Sequence, residues 1–227
     1  MTPLSGRNAP SRAPVTAETV KLRFFHEAFD RPLLDNTMRG LWCEFMVAEA
    51  LGADCRAVGF GWHPWDLQIG PATSALPDRI RIQLKNSALL QSWNAASGRL
   101  SKPLFNLTWR HRPSYFVRDF PSIPCEDEGF LCDLFILCFH GEARIDVADH
   151  RDPDQWQFYL LPVTGSSCAI TQSELAALQS RVRATGKPAT VQRQPTTLET
   201  GIRGRPPAAP VKITELTIGA LQALFQS

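Results

Sequence analysis

No apolar run in this sequence approaches the roughly 20 residues that a membrane-spanning helix needs. No charged start followed by an apolar stretch marks a secretory signal. The expected compartment is therefore cytoplasmic, with no membrane partner. Charge imbalance is also scarce: 24 Lys and Arg stand against 22 Asp and Glu, a net +2 at pH 7. Any basic surface for a partner has to be local rather than global. Cys-x-x-Cys pairs are absent. The six cysteines (Cys43, Cys55, Cys125, Cys132, Cys138, Cys168) are scattered, mostly inside apolar runs. They read as buried free thiols in a reducing compartment; Cys132, Cys138 and His140 suggest zinc, but no paired-thiol spacing supports it. No repeat period stands out.

What is present is an ordinary globular composition. The chain has 227 residues, 44% apolar and 20% charged, enough for one domain with a sizeable core. Residues 1–15 are rich in Pro, Ser and Arg and read as a mobile tail. Thr16 to Phe29 has helical spacing through Val20, Phe24 and Ala28, and Arg31-Pro32 breaks it. Asp35 to Leu51 is the strongest helical pattern. Asp35, Asn36 or Thr37 caps its start and Gly52 ends it. Met38, Leu41, Phe45, Ala48 and Leu51 form the expected apolar stripe, with Glu44 at its edge. Glu44 reads either as a solvated helix glutamate or as one that reaches toward a neighbouring sheet.

Three strands are expected next: Cys55 to Phe60, Trp65 to Ile69 with Asp66 near its head, and Ile80 to Leu84. Gly70-Pro71 and Leu76-Pro77-Asp78 delimit the loop before the third. In that third strand Ile80, Ile82 and Leu84 take one side and Arg81, Gln83 and Lys85 the other, with Asn86 and Ser87 ending it. Further on, Arg99, Lys102, Arg110, His111 and Arg112 interleave with Phe105, Trp109 and Tyr115. That mixture fits contact with phosphates and bases, or equally the solvated face of a strand pair. Phe130 to His140 reads as a buried central strand and Trp156 to Pro162 as another. Thr171 with Glu174 forms a capping box ahead of a helix to about Val182. The boundaries expected are thus 16–183 for the main domain, 184–212 for a Thr-, Pro- and Arg-rich linker or exposed arm, and 213–227 for a C-terminal helix.

If the second and third strands pair as a hairpin, Asp66, Gln83 and Lys85 meet at one end of a sheet. An acid, a carbonyl oxygen and an amine in one place suit a hard divalent cation and an activated water. Taken singly, Asp66 reads as a turn cap, Lys85 as an exposed strand cation and Gln83 as a polar strand residue.

In order, however, helix Glu44, strand Asp66 and strand Gln83-Leu84-Lys85 resemble the PD-(D/E)XK nuclease superfamily, in the Gln-x-Lys form of its Mrr-like and transposon-end branches. Pro64 stands two residues before Asp66 instead of one, and Gln83 replaces the usual second strand acid. The resemblance covers about residues 35 to 95 and, more loosely, the later strands and helix. It implies an α/β fold, a restriction-endonuclease-like mixed β-sheet flanked by helices (αβββαβ core). It also implies hydrolysis of DNA phosphodiesters with Mg2+ or Mn2+, in restriction, repair or defence against mobile DNA. The implied ligands are Asp66, the side-chain oxygen of Gln83, the Leu84 carbonyl and Glu44. Lys85 would orient the attacking water or stabilise the phosphate, and Asn86, Ser87 and Gln91 would touch it. By analogy a homodimer would cut both strands. Arg110 and Arg112 are candidate DNA contacts, as are Arg203 and Arg205. The last two lie in Arg203-Gly204-Arg205-Pro206, which resembles an AT-hook core without its basic flanks and reads otherwise as plain linker. Because Gln83 is a neutral ligand, a second reading stays open: a nuclease-like domain that binds nucleic acid or a protein partner without cutting. An RNA-directed enzyme of the same fold is a third.

Overall fold

The computed structural model describes residues 15–58, 65–101, 104–107, 130–163, 194–197 and 209–226. The chain divides into two compact units, Met1–Arg31 and Pro32–Ser227. The first contains helix α1, Ala17–Phe29, capped by Thr16 and Thr19 exchanging side-chain and backbone hydrogen bonds. None of its residues is buried, and Phe24, Phe25 and Phe29 group their rings on it.

The second unit is mixed α/β. Helix α2, Asn36–Leu51, starts where the Asp35 carboxylate accepts from the Thr37 and Met38 amides and stops at Gly52, whose φ is 82°. It is followed by strands β1 (Cys55–Ala57), β2 (Leu67–Ile69) and β3 (Ile80–Ala88), then β4 (Leu104–Leu107), β5 (Leu134–His140), β6 (Trp156–Pro162) and β7 (Gln194–Thr197). A 3-10 turn at Ile213–Glu215 leads to the short helix α3, Ile218–Ala223. Five strands form one sheet in the order β1-β2-β3-β5-β6. The first three pair antiparallel, β3 and β5 are parallel, and β5 and β6 are antiparallel.

Side-chain alternation assigns the two faces. Ile80, Ile82, Leu84, Ile136, Cys138, Trp156 and Phe158 pack with Cys43, Val47 and Leu51 of α2 and with Leu216 and Leu221. On the other face Phe135, Leu137 and Tyr159 pack with Trp65, Phe105, Leu107 and Phe130. Both faces of β5 are therefore covered, which is why its sequence is an unbroken apolar run.

Several expectations shift. The buried line of α2 is Arg39, Cys43, Val47 and Leu51, and Phe45, expected inside, is 47% exposed. Cys43 packs as a small apolar residue, and Arg39 is buried through its hydrogen bonds, so Arg39 does not register in a count of apolar residues. β3 does not end at Asn86 and Ser87 but continues to Ala88, because β5 pairs with it over that whole length. Arg81, expected on a polar side, is buried: its N–H and Nε donate to Asp133 Oδ2 at 2.8 and 2.9 Å and Nη2 to Oδ1 at 2.7 Å, and it lies 5.2 Å from the Trp65 ring centre. Phe105 is a core residue at 1% exposure and cannot stack on a base. The expected linker supplies β7, paired antiparallel with β4. Arg110, Arg112, Arg203, Arg205 and the helix expected from Thr171 to about Val182 lie outside the described residues. No helix among the described residues is long and apolar enough to cross a membrane.

His140 and His150 are both fully buried, with ring centres 4.8 Å apart beside Trp156. His150 Nδ1 accepts from the Leu34 N–H at 3.0 Å and its Nε2 faces the Leu90 carbonyl at 3.2 Å, so the ring is neutral with its proton on Nε2. Burial, then the neighbouring His140 and Arg39, push its pKa down to about 3. Between that value and the ordinary histidine range the unfolded chain binds a proton that the folded chain refuses. Stability is thus retained above the unfolded pKa and lost as pH falls toward the folded one. We expect about 2 kcal/mol less stability at pH 5 than at pH 8 from this residue alone, read by urea unfolding. His150→Asn, which keeps an acceptor and a donor, should flatten that dependence; an unchanged slope would show that residue 150 is not its source.

Candidate functional site

The site forms where β2 stops and β3 continues. Leu67 is paired with Ile82, so Asp66 falls opposite Gln83. The Asp66 N–H still donates to the Ile82 carbonyl at 2.9 Å, and its own carbonyl accepts from Val58 at 2.8 Å. Beyond this point β3 has no β2 partner. The Asp66 side chain takes over: Oδ2 accepts from the Leu84 N–H at 2.7 Å and from Gln83 Nε2 at 2.6 Å. In a strand the N–H and C=O of one residue leave by the same edge. The Leu84 carbonyl therefore faces the same open edge as its N–H, toward the aspartate.

Lys85 follows Gln83 on the same face of β3. Its charge is felt by both acids. Burial raises the Asp66 pKa, while Lys85, the Leu84 N–H and the Gln83 amide, in that order, hold it down. For Glu44, burial and then the Asp66 charge raise the pKa to about 7, and Lys85 opposes them. Glu44, Asp66, Gln83 and Lys85 are thus one electrostatic group, each half-buried. Cys132 and Cys138 lie near enough to feel the same charges. Their thiols, buried foremost, are raised well above the ordinary range and stay neutral.

The donor set suits a hard cation. It offers two carboxylates that burial and mutual repulsion leave short of positive charge, plus the Leu84 carbonyl and, once the amide turns over, Gln83 Oε1. Among the described residues no group of three or more His, Cys, Asp or Glu could hold a metal ion. A full shell here must draw on amide, backbone and water oxygens. The open cleft lined by Asp54, Arg56, Gly70, Asp78 and Gln222 contains none of the four residues.

Three other expected contacts are placed differently. Ser87 and Gln91 are buried. Asn86 Oδ1 and Gln91 Oε1 accept from Arg39 Nε and Nη1 at 2.7 and 2.6 Å, and Nη2 donates to Asn36 Oδ1 at 2.7 Å. Asn86 and Gln91 therefore turn onto a guanidinium that reading the sequence overlooked. The signal was available: Arg39 opens an i, i+4 ladder with Cys43, Val47 and Leu51.

Because folding raises the Glu44 pKa, the contribution is intact below the unfolded pKa and lost as pH rises through about 7. Glu44→Gln should therefore stabilise the protein at pH 8 by about 1 kcal/mol, a figure reduced for the solvent that reaches this carboxylate, and by little at pH 5. Urea titrations at both pH values read the difference; equal effects would mean that Glu44 is not strained by its neighbours.

A scan against protein-family models finds no match, and searches of curated proteins and of solved structures find no similar protein.

Proposed function

We propose that this chain hydrolyses DNA phosphodiester bonds with a divalent cation, on a restriction-endonuclease-like core. The observation that carries the reading is the Asp66 carboxylate, held by the Leu84 N–H and Gln83 at a strand edge within electrostatic reach of Lys85 and Glu44. Asp66, Glu44, the Leu84 carbonyl and Gln83 Oε1 would hold magnesium or manganese. When bound, the cation supplies positive charge against the negative charge that builds on phosphate oxygens, and lowers the pKa of water. The Leu84 N–H orients Asp66 through Oδ2 and leaves its Oδ1 for that role. Lys85 contributes its ammonium to the phosphate oxygens or orients the attacking water. Glu44 would hold the cation directly or position a water bound to it.

One observation favours a second reading. Gln83 Nε2 already satisfies Asp66 without a cation, as it would in a nuclease-like domain that binds nucleic acid or a protein partner and does not cut.

A DNA cleavage assay with magnesium or manganese separates the two. Asp66→Ala and Lys85→Ala proteins that keep the parent's circular dichroism should lose at least about 100-fold in rate, in line with the loss of a principal electrostatic contact. Calorimetry at pH 7 should also show protons released as the cation binds, because burial and the Asp66 charge raise the Glu44 pKa to about 7 in its absence. Cleavage by both variants at the parent rate removes the proposed centre. No cation binding together with intact DNA binding selects the second reading.

A further inference from the structure

The loop 89–101 leaves the end of β3 on an unusually well-fastened base. Gln91 Nε2 donates to the Ala88 carbonyl at 2.9 Å, Asn94 Oδ1 accepts from the Gln91 N–H at 3.2 Å, and the Ser101 N–H closes the loop on the Leu89 carbonyl at 2.7 Å. Beneath it lies Arg39, 1% exposed, whose three arms end on the neutral amides of Asn36, Asn86 and Gln91. A guanidinium buried on amides alone is costly, and only several charge-assisted hydrogen bonds offset it. His150 ties the same turn to the segment before α2 through Leu34 and Leu90.

What this base carries outward is Trp93, 66% exposed, with Arg99 also exposed farther along the loop. A large ring held in water on a rigid support is prepared for a planar partner, since little ordering remains to be done on binding. Its immediate chain neighbours Ser92 and Asn94 are polar, and the other large apolar side chain that the loop exposes is Leu100, seven residues on. An aromatic ring and a cation presented by one loop are the pairing that single-stranded nucleic acid uses, stacking a base and neutralising a phosphate. Lys85 lies three residues before the end of β3, about 10 Å along the strand, within reach of a few nucleotides.

We propose that Trp93 is a stacking platform for an unpaired base of a DNA strand, presented by a loop that the Arg39 network holds rigid. The proposal rests on the phosphodiester reading above and narrows its substrate to DNA with an unpaired segment. Fluorescence anisotropy in EDTA, where cleavage cannot occur, tests it with a labelled single-stranded oligodeoxynucleotide and the blunt duplex of the same sequence. Trp93→Ala should weaken single-strand binding roughly 5- to 150-fold, and Trp93→Phe should retain most of the affinity, with duplex binding changed less than about 2-fold. Single-strand affinity unchanged in Trp93→Ala, equal losses on both DNAs, or a parent chain that binds no single strand overturns the proposal. If magnesium supports cleavage but Trp93→Ala binds like the parent, the platform falls and hydrolysis stands. If binding depends on Trp93 but no DNA is cut, hydrolysis falls and the platform stands.

Discussion

The hydrogen bond from the Leu84 N–H to Asp66 Oδ2 is the constraint around which the site is organised. A sheet whose strands all ended together would present no such edge. Here β2 stops at Leu67 while β3 runs on to Ala88, and the first unpaired donor past the break is met by a carboxylate. A single contact thereby closes the edge, brings a half-buried acid beside Lys85, and turns the Leu84 carbonyl toward the same place. Burial works against ionisation of that acid, and the amine and amides work for it. The pair is poised to gain from added positive charge.

The second constraint lies behind the site. Arg39 joins α2 to β3 and to the loop beyond it. Gly40 follows it, and a methyl group there would come within 3.4 Å of the Asn86 amide, so the helix approaches the strand closely at this level. Glu44 sits on the same helix, little more than one turn further on. The distance between Glu44 and the strand residues is therefore governed by a buried network that touches none of them directly.

Much of this was legible in the sequence, and what was not has a physical reason. The Asp35 and Gly52 caps bound α2 as expected, since capping is a local property. The β2–β3 hairpin and β6 follow from alternation and turn residues. The inward arginines do not. Arg81 is buried because of Asp133, 52 residues away, and Arg39 because of amides 47 and 52 residues away. No window of sequence contains both partners. Phe105 looks like half of a basic-aromatic pattern, and only the tertiary packing with Phe130, Phe135 and Leu137 turns it inward. The grouping of Asp66, Gln83 and Lys85 was legible because one hairpin contains all three. The electrostatic participation of Glu44 was not legible in periodicity, which favoured a side chain facing solvent.

The parallel pairing of β3 with β5 has a consequence for how the chain reaches this shape. The β1–β2–β3 meander and the β5–β6 pair are each made from neighbouring stretches and are joined by short connections. The seam between them brings Ile82 to Leu134 and Ala88 to His140, and a long excursion must close before any of its hydrogen bonds form. Assembly therefore has two quick local pieces and one slow long-range union. All of the candidate site but Glu44, from Asp66 to Lys85, belongs to the first quick piece. The buried Cys132 and Cys138, which feel its charges, arrive only with the seam.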